Sequence, residues 1–219
     1  GLEHHYRVRW HSEGMFMDAS SRDPDMKAYM RRLIECAPGR PVLQFNRADF
    51  RLGWLRFHVP NATLIHLYRH PRNQWTSFLR RSGFPSDGDM ETFFATADNY
   101  FIRTWAEDMR PVFPFLDSAA FDHPYPLYYL LWKLSYLFGQ HYADLSIAYE
   151  DLLDDPRGTL GSLFAVTDVQ RFDLDALCEL VSPAPADAWM RYADHDWFSA
   201  HETACEAILT DFFASHGLQ

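Results

Sequence analysis

The chain predicts one α/β domain, residues 1–219, built on a parallel sheet. Three observations lead there. A strand, a helix and a second strand succeed one another between residues 41 and 68, at the spacing of a βαβ unit. A third strand-like run, Asp144 to Tyr149, passes at once into a helical pattern. Finally, 47% of the 219 residues are hydrophobic and 16% aromatic, with no biased tract, which suits a packed core and excludes a disordered or collagen-like chain.

Ser21-Arg22-Asp23-Pro24, with Met26, Tyr29, Met30, Leu33 and Ile34 after it, reads as a capped amphipathic helix, stopped by Ala37-Pro38-Gly39. Pro41 to Phe45 reads as a short buried strand, and Phe50, Leu52, Trp54, Leu55 and Phe57 mark a helix. Thr63 to Tyr68 is the second strand; Pro71 then sits in the first turn of a helix, where its missing N–H costs nothing. Apolar residues at helical spacing run from Asp89 to Met109 and from Tyr125 to Tyr142, joined by an irregular stretch around Asp117 to Pro126. The aromatics from Phe93 to Tyr142 suit either a core or the lining of an apolar pocket, and core is the commoner use. After the third strand come a helix through Leu163 and two more, about Asp173 to Val181 and Ser199 to Ala214.

Composition narrows the function classes. No apolar run has the length of a membrane span and no secretory core opens the chain. Cys36, Cys178 and Cys205 form no CxxC and no even framework, so a reducing, cytoplasmic setting without a disulfide scaffold or zinc site is expected. The histidines show neither i, i+4 ligand spacing nor an HExxH motif, and no metal is expected. Net charge is −10, yet residues 41–81 alone carry +6, with no acid between Asp49 and Asp87, while residues 82–219 carry −17. Such a stretch is either built to meet an anion or is a solvated basic face. Nucleic acid is a poor partner for so acidic a surface.

The chemistry is concentrated in Leu64-Ile65-His66-Leu67-Tyr68-Arg69-His70-Pro71-Arg72, with Ser77 five residues on. Arg69 ends a strand at the edge where parallel sheets bind ligands, and Ser77 lies about two turns into the next helix. Helix amides, an Arg fork and a hydroxyl together make a phosphate site. An Arg that merely caps the sheet through a carboxylate is an equal alternative.

This segment resembles the 3′-phosphate-binding segment of sulfotransferases that use 3′-phosphoadenosine 5′-phosphosulfate, whose pattern is an apolar strand, Arg-Asp-Pro-Arg and a later Ser. Phe57-His58-Val59-Pro60-Asn61-Ala62 is similar to the family's lead-in, and Ala148-Tyr149-Glu150-Asp151-Leu152-Leu153-Asp154-Asp155-Pro156 to its later Tyr-Glu-Asp-Leu run. The resemblance covers about residues 40 to 165. It implies a three-layer α/β fold, a parallel sheet flanked by helices and related to the P-loop NTPases. It also implies transfer of a sulfonate to a hydroxyl or amine of a small-molecule or glycan acceptor, leaving adenosine 3′,5′-bisphosphate. Arg69 and Ser77 would bind the 3′-phosphate, Tyr149 would lie near the adenine unless it is simply core, and Arg191 is a further candidate for the phosphate. Glu150 and Asp151 read as structural acids at a helix start.

Two features depart from the family pattern. Its Gly-rich loop for the 5′-phosphosulfate has no match, which places that strand, loop and helix before residue 1 or marks a non-catalytic nucleotide-binding or protein-interaction relative. Where many members hold a Lys and a His base, this chain has Gln44 and Asn46. Asn46 has no titrating group but can orient an acceptor, and Arg47 either binds sulfonate or begins the helix. The acidic C-terminal two thirds disfavours a polyanionic glycan.

Overall fold

A computed structural model describes residues 3–46, 48–182, 185 and 187–217. Several helix starts have a local cause. Asp23 accepts the N–H of Met26 at 2.8 Å and Pro24 opens helix α1, Pro24–Glu35, which buries Met26 and Met30. A 3₁₀ turn at Asp49–Arg51 leads into α2, Leu52–His58. Strand β1 is Ile65–Tyr68, and α3 is Pro71–Leu79. The stretch read as one helical run from Asp89 divides into α4, Met90–Thr96, and α5, Ile102–Met109. Asp98 causes the break: its carboxylate accepts the N–H groups of Ile102 at 2.6 Å and Arg103 at 3.1 Å, and Phe101 takes a left-handed conformation at φ 60°.

Helix α6, Pro124–Tyr142, is the central element, opened by His123, whose Nδ1 accepts the N–H of Tyr125 at 3.0 Å. Strand β2, Leu145–Ala148, runs directly into α7, Tyr149–Asp154. Pro156 then starts α8, Pro156–Val166, with Asp155 accepting the N–H of Gly158. The chain closes with α9, Leu174–Glu179, a 3₁₀ turn at Ala188–Arg191, and α10, His195–Ser215. None of the described helices is long and apolar enough to cross a membrane.

The expected three-layer parallel sheet is corrected. Among the described residues 58% are helix and 4% strand, and β1 and β2 pair only with each other, in parallel, with Ile65 opposite Leu145 and Tyr68 opposite Ala148. A P-loop NTPase-like sheet is therefore absent among the described residues. The strand expected at Pro41 to Phe45 is irregular: Val42 is 89% exposed, and Leu43 and Phe45 also face outward, so the apolar run has no partner strand to bury it. Ile65 and Leu67 on the outer face of β1 are exposed as well.

The inner face of the strand pair is tightly seated. Tyr68 packs edge-on against Tyr136, with ring centroids 5.0 Å apart, and the buried ring of His66 lies on the backbone of α6 at Gly139. A Cβ at Gly139 would fall 2.1 Å from His66 Nδ1, so only glycine permits this approach. The strand starts are latched by Asp144, which accepts the N–H of Leu64 at 2.8 Å and pairs with Arg56 at 2.9 Å. One apolar cluster gathers Trp75, Phe93, Tyr125, Leu130 and Phe198, and a second gathers Trp10, Met26, Met30 and Trp54. Phe138 of α6 packs against both. Many of the aromatics from Phe93 onward are core, Phe93 and Tyr125 showing no exposure, whereas Tyr100 and Phe101 face outward.

Candidate functional site

Parallel pairing brings the C-terminal ends of β1 and β2 side by side, so the residues just beyond the two strands meet at one edge. Arg69 comes directly after β1 and Tyr149 directly after β2. The Arg69 guanidinium lies 5.1 Å above the Tyr149 ring, in cation–π geometry. Its Nε is buried without a hydrogen-bond partner among the described residues, 3.9 Å from Glu150 Oε1. Both Glu150 oxygens lie 3.2 Å from the N–H of His70, which donates to them from the residue preceding α3. Asn73 in the first turn of α3 is 6% exposed; its Nδ2 donates to Glu150 at 3.5 Å and its Oδ1 has no partner among the described residues.

Helix α6 fixes this edge from beneath. Trp132 Nε1 donates to the carbonyl of Arg69 at 3.0 Å, and the Tyr128 hydroxyl donates to the carbonyl of Pro71 at 3.3 Å. Burial raises the Tyr128 pKa well above the phenol range and keeps that hydroxyl a donor. His70, an exposed residue, is shifted down by partial desolvation first and by the Arg72 charge second, against the opposing pull of Glu150 and Glu202. The imidazole of His70 therefore favours its neutral form.

Arg72 does not share the crevice. It turns to α10, where Nε and Nη2 donate to the two Glu202 oxygens at 2.9 and 2.7 Å, and it stacks over Trp189 and Phe198. Ser199 and Tyr125 complete the arrangement, accepting from Arg72 at 3.1 Å and donating to Glu202 at 2.7 Å. Hydrogen bonding to Glu202 raises the Arg72 pKa. Its role is to hold α3 on α10.

The remaining sequence candidates are dispersed. Ser77 is exposed on α3 and no described contact joins it to Arg69. Arg191 is exposed at the end of the 3₁₀ turn that presents Trp189. Asn46 is exposed and, with Gln44, borders a cavity of about 290 Å³ walled by Trp10, Met26, Tyr29 and Trp54. Arg47 lies outside the described residues. No group of three His, Cys, Asp or Glu able to hold a metal ion occurs among the described residues.

Arg51, Arg56 and Arg72 of the basic stretch at residues 41–81 are engaged inside the molecule, whereas Arg80 and Arg81 are exposed. Arg51 donates to the carbonyls of Glu13 and Gly14 at 2.9 Å each, Arg56 to the carbonyl of Tyr142, and Arg72 to Glu202. Asn73 and Trp132 are site residues that motif reading left out, and Glu150 is one that it named without its role here. Glu150 was legible only as the first-turn acid of its own helix, whereas it caps the N-terminus of α3, 80 residues away in sequence. Comparison of the chain with family models, with curated proteins and with solved structures found no match in any of the three.

Proposed function

We propose that the edge formed by Arg69, Tyr149 and the start of α3 binds the 3′-phosphorylated adenosine of 3′-phosphoadenosine 5′-phosphosulfate, and that the protein is a sulfotransferase acting on a hydroxyl or amine. The observation that carries this reading is the Arg69 guanidinium, which lies over Tyr149 with a buried Nε that makes no hydrogen bond among the described residues. A phosphate oxygen would supply the acceptor that this donor lacks. In this reading Arg69 holds the 3′-phosphate with the α3 N-terminus beside it, and Tyr149 offers a face to the adenine. The bound donor supplies an activated sulfonate, and in-line transfer of that group depends on positioning and on cationic stabilisation more than on covalent help from the protein.

A second reading is a nucleotide-binding module that does no transfer. It is favoured by Asn46, a side chain that cannot take a proton from an acceptor.

Titration calorimetry with adenosine 3′,5′-bisphosphate separates the proposal from its failure. Wild-type protein is expected to bind, and Arg69→Ala to lose about a hundredfold in affinity, the worth of two charge-assisted hydrogen bonds. Absence of binding by the wild type refutes the nucleotide site. Binding without sulfonate transfer to any of a panel of phenols, alcohols and amines selects the second reading.

A further inference from the structure

The anion site proposed above already contains an anion, and it is part of the chain. Glu150 faces the N-terminus of α3 with both oxygens 3.2 Å from the His70 N–H, and one of them is 3.9 Å from Arg69 Nε. Neither contact is close for charge-assisted partners, whose distances fall nearer about 2.8 Å. Arg69 Nε is left without a hydrogen bond, and the Asn73 amide, although buried, reaches Glu150 only at 3.5 Å by Nδ2 and leaves Oδ1 unpartnered among the described residues. Three donors are thus held around one carboxylate without any of them being well satisfied. A rigid structural cap would close these distances; a tetrahedral oxyanion, with oxygens spread over a wider arc, would meet them better.

We propose that Glu150 is a placeholder for the ligand's phosphate, keeping the crevice neutral until a phosphomonoester dianion displaces it and so excluding singly charged anions. This rests on the assignment of the Arg69 edge as a phosphate site. The charge balance gives the selectivity. One Arg and the roughly half-positive end of α3 face one carboxylate. A monoanion that replaced the carboxylate would gain no Coulomb energy, since it brings the same charge and must also give up its own hydration. A phosphomonoester carries nearly two charges at neutral pH and can offer three oxygens to the three donors. The unpartnered Asn73 Oδ1 then has a use, because a hydroxyl beside the phosphate, as on a ribose, can donate to it. Glu150 sits at the first turn of α7, so its side chain can turn outward with no change in β2 or α3.

The test compares wild type with Glu150→Gln, which keeps the shape and an acceptor for the His70 N–H but removes the charge. Calorimetric affinities are measured for adenosine 3′,5′-bisphosphate, inorganic phosphate and chloride. Glu150→Gln is expected to bind adenosine 3′,5′-bisphosphate and phosphate about tenfold more tightly and to gain measurable chloride binding that the wild type lacks. Glu150→Ala is expected to shift affinity in the same direction, and Glu150→Asp, which keeps the charge, is expected not to gain chloride binding. Unchanged or weaker binding of both phosphates by Glu150→Gln, with the wild type still binding the nucleotide, overturns the placeholder and leaves the nucleotide site intact. Anion binding by the Gln variant alone shows that no phosphate displaces Glu150 in the wild type and overturns the placeholder together with nucleotide binding by the wild type; binding of no anion by either protein overturns both as well.

Discussion

Residue identity decides the behaviour of the buried histidines. His123 accepts the first N–H of α6 through Nδ1 and meets the Tyr192 hydroxyl through Nε2 at 3.3 Å, roles that need a neutral ring. Burial, reinforced by His201, lowers its pKa to about 4. In the unfolded chain the same ring takes up its proton near pH 6.5, so below that pH the unfolded state gains protons that the folded state refuses. Stability is therefore expected to be full above about pH 7 and to fall as pH drops from about 6.5 towards 4, by up to about 3 kcal/mol for this residue. His66, His70 and His201 are lowered too, and they act in the same sense. Urea denaturation across that range checks this, and His123→Asn, which keeps an acceptor for the cap and does not titrate, is expected to flatten the curve. At this scale the sequence was only partly legible. Arg69 and Tyr149 meet because the parallel register of β1 and β2 sets the two strand ends side by side, and no spacing rule signals that Glu150 would cross to a different helix, since that contact depends on the same register of two strands 80 residues apart.

Among elements, α3 depends on its neighbours more than on its own propensity. Arg72 is nearly buried against Glu202, and such a pair is weak evidence for stability when kept but costly to break, because one partner alone is a buried uncompensated charge. Glu202→Ala is expected to cost about 3–5 kcal/mol, and the double variant Arg72→Met with Glu202→Leu less than that; thermal and urea unfolding of the single and double variants measure both. Helices were the legible elements, because apolar spacing, a cap such as Asp23 and prolines at first turns act within a few residues, although the single helix expected through Leu163 divides at Asp155 into α7 and α8. Breaks were less so: Asp98 divides α4 from α5 by a side-chain bond that competes with an apolar pattern running straight through it. Strands depended on partners. Ile65–Tyr68 has one and Pro41 to Phe45 has none, although the two runs are similarly apolar.

Over the whole molecule the two apolar clusters are joined through α6, and α6 also carries Trp132 and Tyr128 beneath the Arg69 edge. The charge imbalance seen along the chain is reduced in three dimensions, since Arg56 and Arg72 pair with Asp144 and Glu202 and Arg51 is tied to backbone carbonyls, while Arg80 and Arg81 stay exposed. Linear charge counts could not show this, because the acceptors come from distant segments such as Gly14, Tyr142 and Glu202. The clamp between Arg72 and Glu202 also makes the C-terminal helix a reporter. Residue 72 lies in the first turn of the helix whose N-terminus faces the proposed ligand, so steadying that turn steadies α10 by the same linkage. Amide hydrogen exchange in α10, around residues 198–206, is expected to slow when adenosine 3′,5′-bisphosphate is added to the wild type and to respond much less in Glu202→Ala. A nucleotide at one end of the molecule would then be readable in the time its last helix takes to exchange with deuterated water.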